Sequence, residues 1–299
     1  MASTHTSPTA ILVPVVVGPA EMYAELVDGA TVQTPRRAVP PLNLASVSVV
    51  KVADPLVPAF PPHEPVALGD VKWLRRTSTV PEVASKLPLV ARFVARIPSG
   101  ISDEQAAPLM CAGLTVYKGL MMADADPGDW VVISGIGGLG HLAVQYARAM
   151  GYQVVAVDID DGKLTLAARL GATMTINARE TEPVSYVQRQ IGGAHAALVT
   201  AVSRSAFGQA VGMMRPGGTV VLNGLPPGDF PLSIYEMVMR AITLRGSIVG
   251  TRYDLTRALD LAAQARITAT VHPARLQDVN EVLEKMEGSG LPGRTVLEF

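Results

Sequence analysis

The sequence predicts an α/β protein built on a doubly wound parallel sheet, and three observations carry that expectation. Short apolar runs alternate with helical patterns from about residue 130 onward, the order of a parallel sheet covered by helices. The runs are apolar throughout rather than at every second position, as burial on two faces requires. Glycine and proline also divide the chain: residues 1–97 hold 13 of the 23 prolines and 3 of the 27 glycines. At 299 residues, there is room for about two domains.

In order, Leu44 to Val52 alternates loosely and reads as a short or edge strand, because the prolines around it remove backbone donors. Trp130 to Ser134 reads as a buried strand. Leu139 to Met150 has helical spacing and stops at Gly151. Gln153 to Asp158 is the next strand, and Asp161 to Leu170 a helix ended by Gly171. Strands are expected near 173–176, 196–200, 218–223 and 243–249, with helices near 181–190, 203–215 and 232–241. The tail predicts a helix from about 253, a strand near 267–271, a helix near 276–287 and a last strand from Arg294.

Composition narrows the function. Apolar residues make up 48% and charged residues 17%, enough for a core and too little charge for disorder. The net charge of −1 argues against nucleic acid or anionic lipid as a partner. The early apolar run Ile11 to Val17 is too short to span a membrane. Met1 is followed by Ala-Ser-Thr-His, with no positive n-region, so the expectation is a cytoplasmic protein without a signal peptide. The single cysteine excludes an internal disulfide.

One motif points to chemistry. Gly135, Ile136, Gly137, Gly138, Leu139 and Gly140 form G-x-G-x-x-G between a strand and a helix. Gly135 permits a tight turn, Gly137 lets the backbone approach a diphosphate, and Gly140 lets the helix pack on the strand. The helix N-terminus offers free N–H groups to phosphate. The next strand ends at Asp158, 18 residues after Gly140, where a carboxylate can hold ribose hydroxyls and repel a 2′-phosphate. Lys163 can reach the same ribose. The unit reads as a Rossmann domain that prefers NAD. His141, next to the last glycine, reads as a helix-face residue without a chemical role.

From about residue 96 the chain resembles the zinc-type medium-chain alcohol dehydrogenases, especially the bacterial and yeast-like group. The resemblance rests on Ile97 to Leu120 with its Met-Cys-Ala-Gly-Leu-Thr, Ser134 to His141, Val157 to Asp160, Asn223-Gly-Leu-Pro226, Gly246 to Gly250 and Gly293 to Leu297. It implies NAD as cofactor, a small alcohol or aldehyde as substrate, and a dimer or tetramer assembled through the cofactor domain near Gly246 to Thr251. It implies that Cys111 is a catalytic zinc ligand and that Thr115 lies near the nicotinamide. Asn223, Leu225, Ser247 and Val249 would line the nicotinamide side, and Arg294 would pair with the diphosphate. The implied domains are 1–122, a degenerate GroES-like catalytic region; 123–256, the cofactor domain; and 257–299, returning to the catalytic region, where its strands need N-terminal partners.

The metal motifs depart from the family pattern. No cysteine precedes Cys111, and the His-Glu pair at His63 and Glu64 is flanked by Pro62 and Pro65 where the pattern has glycines. Cys111 therefore reads either as a zinc ligand or as a buried free thiol, and His63 either as a ligand or as a loop histidine. One event would explain both the compositional break and the missing motifs: residues 1 to about 90 deriving from a shifted reading frame. The expected function is an NAD-dependent alcohol dehydrogenase, zinc-assisted as the resemblance implies, with a zinc-free quinone or enone reductase and a dinucleotide-binding remnant without turnover as the alternatives.

Overall fold

The computed structural model describes residues 95–287 and 293–298, together with two short strands at 11–12 and 47–49. In chain order the strands are β1 Ile11–Leu12, β2 Val47–Val49, β3 Ala95–Arg96, β4 Trp130–Ser134, β5 Gln153–Asp158, β6 Met174–Asn177, β7 Ala194–Val199, β8 Met214–Leu222, β9 Thr243–Gly246, β10 Val271–Arg275 and β11 Arg294–Glu298. The helices are α1 Asp103–Pro108, α2 Leu114–Met121, α3 Gly140–Ala149, α4 Asp161–Arg169, α5 Pro183–Ile191, α6 Arg204–Met213, α7 Ile234–Met239, α8 Arg252–Ala265 and α9 Val279–Glu287. A π-helical turn, Leu109–Gly113, joins α1 to α2.

Six strands make the central parallel sheet in the order β6-β5-β4-β7-β8-β9. The order reverses between β4 and β7, the switch point where a doubly wound sheet opens a crevice at its carboxyl ends. Alternate residues of each strand serve opposite faces. Val131, Ile133, Val154, Ala156, Ala196 and Leu198 pack with α2, α3 and α8. Val132, Val155, Val157, Ala197 and Val199 pack with α5 and α6. Each such valine or leucine contributes about 1.5–3 kcal/mol of burial, so both residues of every pair are apolar and the sequence shows no alternation.

The segment 103–121 was not predicted from periodicity. Its helices bury Ala106, Leu109, Ala112, Leu114, Val116, Tyr117 and Leu120, and the π-helical turn between them breaks the 3.6-residue spacing that a single helix would show. Lys118 pairs with Asp254 of α8 at 3.4 Å.

Two strand expectations need correction. The strand expected at 243–249 ends at Gly246, because Val249 has φ +38° and Gly250 φ +153°, outside the extended region. The strand expected near 267–271 begins only at Val271. The N–H groups of residues 268–270 are bonded by side chains instead of a neighbouring strand. The Thr268 N–H donates to Gln145 Oε1 (3.1 Å), Ala269 N–H to Gln105 Oε1 (2.7 Å) and Thr270 N–H to His141 Nε2 (3.1 Å). The sequence carries the apolar run but not the source of its hydrogen-bond partners.

The tail finds its N-terminal partner. β11 lies between β10 and β2 in a parallel three-stranded sheet, with Thr295 opposite Val47 and Leu297 opposite Val49. Among the described residues, no helix is long and apolar enough to cross a membrane.

Candidate functional site

The crevice is built around the turn after β4. Gly135 has φ +95°, and a Cβ there would meet Ala201 N at 2.7 Å, so the turn lies directly against the end of β7. Thr200, which sequence reasoning did not single out, donates through Oγ1 to the Gly135 carbonyl at 2.6 Å. Its signal is positional: it directly follows β7, the strand on the far side of the switch point. A Cβ on Gly140 would meet Gly135 O at 1.9 Å, whereas one on Gly137 would have nothing within 4 Å. The turn is therefore packed tightly at both ends and open in the middle, the shape a diphosphate needs.

Asp158 closes one side. Its Oδ2 accepts from Ile136 N–H at 2.6 Å, and its Oδ1 from Ile159 N–H at 2.7 Å and Asp160 N–H at 3.1 Å. These fix the carboxylate at the strand end beside the turn. Ile136 is itself buried in the core and offers only its backbone. Asp160 caps α4 by accepting the Lys163 N–H at 3.0 Å, which places Lys163 on the first turn after the acid.

Arg294 closes the other side. Its side chain is 2% exposed, and its Nε donates to Gly138 O at 3.1 Å. Burial brings its pKa down to about 10, with the neighbouring Cys111 acting in the opposite sense. The guanidinium remains a cation at neutral pH. Its second amino nitrogen is buried without a partner.

Asn223, Leu225, Ser247 and Val249 follow the ends of β8 and β9. Asn223 is buried and donates through Nδ2 to Ser247 O (3.2 Å) and Thr115 O (3.5 Å), so Thr115 enters the site through its carbonyl. Asn223 Oδ1 faces Gly119, where a Cβ would lie 2.4 Å away. Leu225 is 90% exposed. With Ser247, Phe207, Pro226 and Ile248 it lines a cleft of about 460 Å³. Val249, half-buried, packs against the core.

Among the described residues, three buried side-chain polar atoms lack a partner: Asn223 Oδ1, Ser247 Oγ and the Arg294 terminal nitrogen. All three belong to residues that the resemblance places around the cofactor. Such atoms are rare in folded proteins, and each calls for a ligand, a water or a special role.

The metal positions are not assembled in the same way. Cys111 lies in the π-helical turn, a distortion common at functional sites. The reading of a buried thiol is corrected, since Cys111 is exposed while Met110 and Ala112 beside it are buried. In the π-turn, its side chain leaves the face that packs on the core. His63 lies outside the described residues. Among those described, no group of three or more His, Cys, Asp or Glu could hold a metal ion, so they do not fit a zinc site.

These features define a class: a doubly wound dinucleotide-fold domain with a phosphate-type glycine turn, an acid at the next strand end and a buried arginine. Residues 138–264 match the family model of zinc-binding dehydrogenases. The chain is 57% identical over 209 residues to an alcohol dehydrogenase of Moraxella sp. strain TAE123, covering 70% of this chain and 62% of that one. An alcohol dehydrogenase of Geobacillus stearothermophilus is 48% identical over the same shares. Among solved structures, the alcohol dehydrogenase of Aeropyrum pernix is 32% identical with a TM-score of 0.63, over 69% of this chain and 62% of that one. The acetophenone reductase of Geotrichum candidum, solved with NAD, is 27% identical with a TM-score of 0.61, over 70% and 59%. Over the matched part, the chain is similar to zinc-binding dehydrogenases and to these alcohol dehydrogenases. The chain spans 62% of the length of these curated relatives.

Proposed function

We propose that the crevice binds NAD(H) and that the protein is an NAD-dependent oxidoreductase acting on a small alcohol or aldehyde. The observation carrying this reading is the buried, half-partnered guanidinium of Arg294 against the carbonyl of the glycine turn. A buried cation short of a partner is costly, and a diphosphate over Gly137 would supply the missing acceptor and charge.

In this reading the Gly137 gap admits the diphosphate, the N-terminus of α3 and Arg294 bind it, and Asp158 and Lys163 hold the adenosine ribose. Asp158 disfavours a 2′-phosphate, which also weighs against a quinone or enone reductase using NADPH. Asn223, by linking Thr115 to Ser247, holds the nicotinamide side of the crevice together, with Leu225 and Val249 on the strands' continuation. When bound, the nicotinamide supplies a hydride acceptor at C4; the chain's residues orient it and exclude water. The family's zinc would assist the alcohol, with Cys111 and His63 as candidate ligands, but no step is assigned to it here because the described donors do not fit.

The described donor set favours a second reading, dinucleotide binding without alcohol turnover. Titration with NADH and NADPH, followed by ethanol-dependent NADH formation with and without added zinc, tests both. Micromolar NADH binding with turnover abolished by a chelator supports the first reading. Binding without turnover supports the second, and no binding of either dinucleotide overturns both.

The same proposal includes a homo-oligomer. Ile234, Tyr235, Val238 and Met239 of α7 are exposed, and α7 has no buried residue, an apolar surface that a second copy would cover.

A further inference from the structure

His141 is fully buried immediately after the last glycine of the turn. The Thr270 N–H can only donate, so the imidazole Nε2 facing it at 3.1 Å accepts. In a neutral ring the proton then lies on Nδ1, which faces the Gly137 carbonyl at 3.1 Å and donates to it. Burial holds the ring neutral by lowering its pKa to about 4.

The bonds continue into a closed circuit. The Thr270 carbonyl accepts the Arg294 N–H at 2.8 Å, and Arg294 Nε donates to the Gly138 carbonyl at 3.1 Å. The Gly137 carbonyl also accepts the His141 backbone N–H at 3.1 Å, and the imidazole is its second donor, so two successive carbonyls of the turn are tied through side chains to the tail. In a trans peptide the N–H points opposite to the carbonyl. Fixing the Gly137 and Gly138 carbonyls therefore aims the Gly138 and Leu139 N–H groups away from the tail.

We propose that His141 is a positioning residue for the diphosphate-binding turn, holding the Gly137 carbonyl so that the following N–H faces the phosphate. This rests on the dinucleotide reading above. It gives a function to a histidine that the sequence left as an ordinary helix-face residue. Gln145, one turn along α3, clamps the same tail segment at Thr268 and donates to the His141 main-chain carbonyl, but it bonds neither the imidazole nor any residue of the turn, and so serves as the internal control.

The experiment measures NADH and adenosine affinity by calorimetry for the parent, His141→Leu, His141→Asn and Gln145→Leu, with circular dichroism to establish folding. Asparagine can place an amide N–H where Nδ1 stands. His141→Leu is expected to weaken NADH about tenfold, and His141→Asn to recover most of that loss. Gln145→Leu should stay within about twofold of the parent, and adenosine, which carries no phosphate, should bind all four alike. Parent-like NADH binding by folded His141→Leu overturns the proposal. So does an equal loss in Gln145→Leu or an equal loss for adenosine. If His141→Leu does not fold, the asparagine variant decides: NADH affinity near the parent's supports the proposal, and a loss as large for adenosine as for NADH overturns it. A parent that binds no NADH overturns the dinucleotide reading itself, a result separate from any difference among the variants.

Discussion

Two turns meet near Arg294, the glycine turn at 135–140 and the π-helical turn at 109–113, and they are supported very differently. The glycine turn is held from every side: Thr200 and Ala201 below it, Asp158 on one flank, His141 and Arg294 on the other. The π-turn presents Cys111 to the surface with no set of metal-ligating neighbours among the described residues. A preorganised anion site needs its backbone donors fixed in advance. A metal site needs several donors converging from different parts of the chain. The first is built from a contiguous strand–turn–helix unit with a few distant supports. The second depends on residues brought from far away in the sequence.

The largest expected effect lies at Gly140. Gly140→Ala places a Cβ against the Gly135 carbonyl, and the account predicts a stability loss of about 3 kcal/mol in urea unfolding with NADH binding lost. If Gly140→Ala binds NADH normally, the tight turn is not what shapes the site.

The next effect is the pH dependence of His141. Its folded pKa of about 4 lies below the ordinary 6.5, so the unfolded chain takes up a proton that the folded one resists. Its contribution is complete above about pH 6.5 and is lost as pH falls toward 4, by about 3 kcal/mol in all. Urea unfolding of parent and His141→Asn across that window should show the parent falling more steeply. Parallel curves would mean that the ring titrates freely.

Arg294→Met separates stability from binding. Removing a buried, half-partnered cation should leave the ligand-free protein as stable or more so, while NADH affinity falls about 10- to 100-fold. A variant that loses stability and keeps its affinity would make Arg294 a structural residue. Asp158→Asn should narrow the preference for NADH over NADPH by about tenfold, since it removes a charge that repels the 2′-phosphate; competitive titration checks this. The smallest effect belongs to the other turn: Cys111→Ser should change NADH affinity by no more than about twofold.

The doubly wound half was readable because its unit is local. Trp130–Ser134, Gly135–Gly140 and Gln153–Asp158 follow one another, and each residue type has a geometric reason at its position. The supports were not readable. Thr200, Thr270 and Arg294 reach the turn from 60 or more residues away, and only the last had a resemblance to mark it. His141 looked ordinary because its partners, Gly137 O and Thr270 N–H, are backbone groups that leave no trace in the sequence. The misplaced strand at 267–271 has the same origin, since Gln105, Gln145 and His141 supply the hydrogen bonds that a neighbouring strand would have given. Helix 114–121 follows directly on the π-helical turn, which shifts the helical spacing and hides its start in the sequence.

Calorimetric titration of the folded protein with NADH tests the central claim most directly. The account predicts saturable one-to-one binding that is sharply weakened in Arg294→Met. No heat of binding from the folded parent, or equal binding by parent and variant, would contradict it.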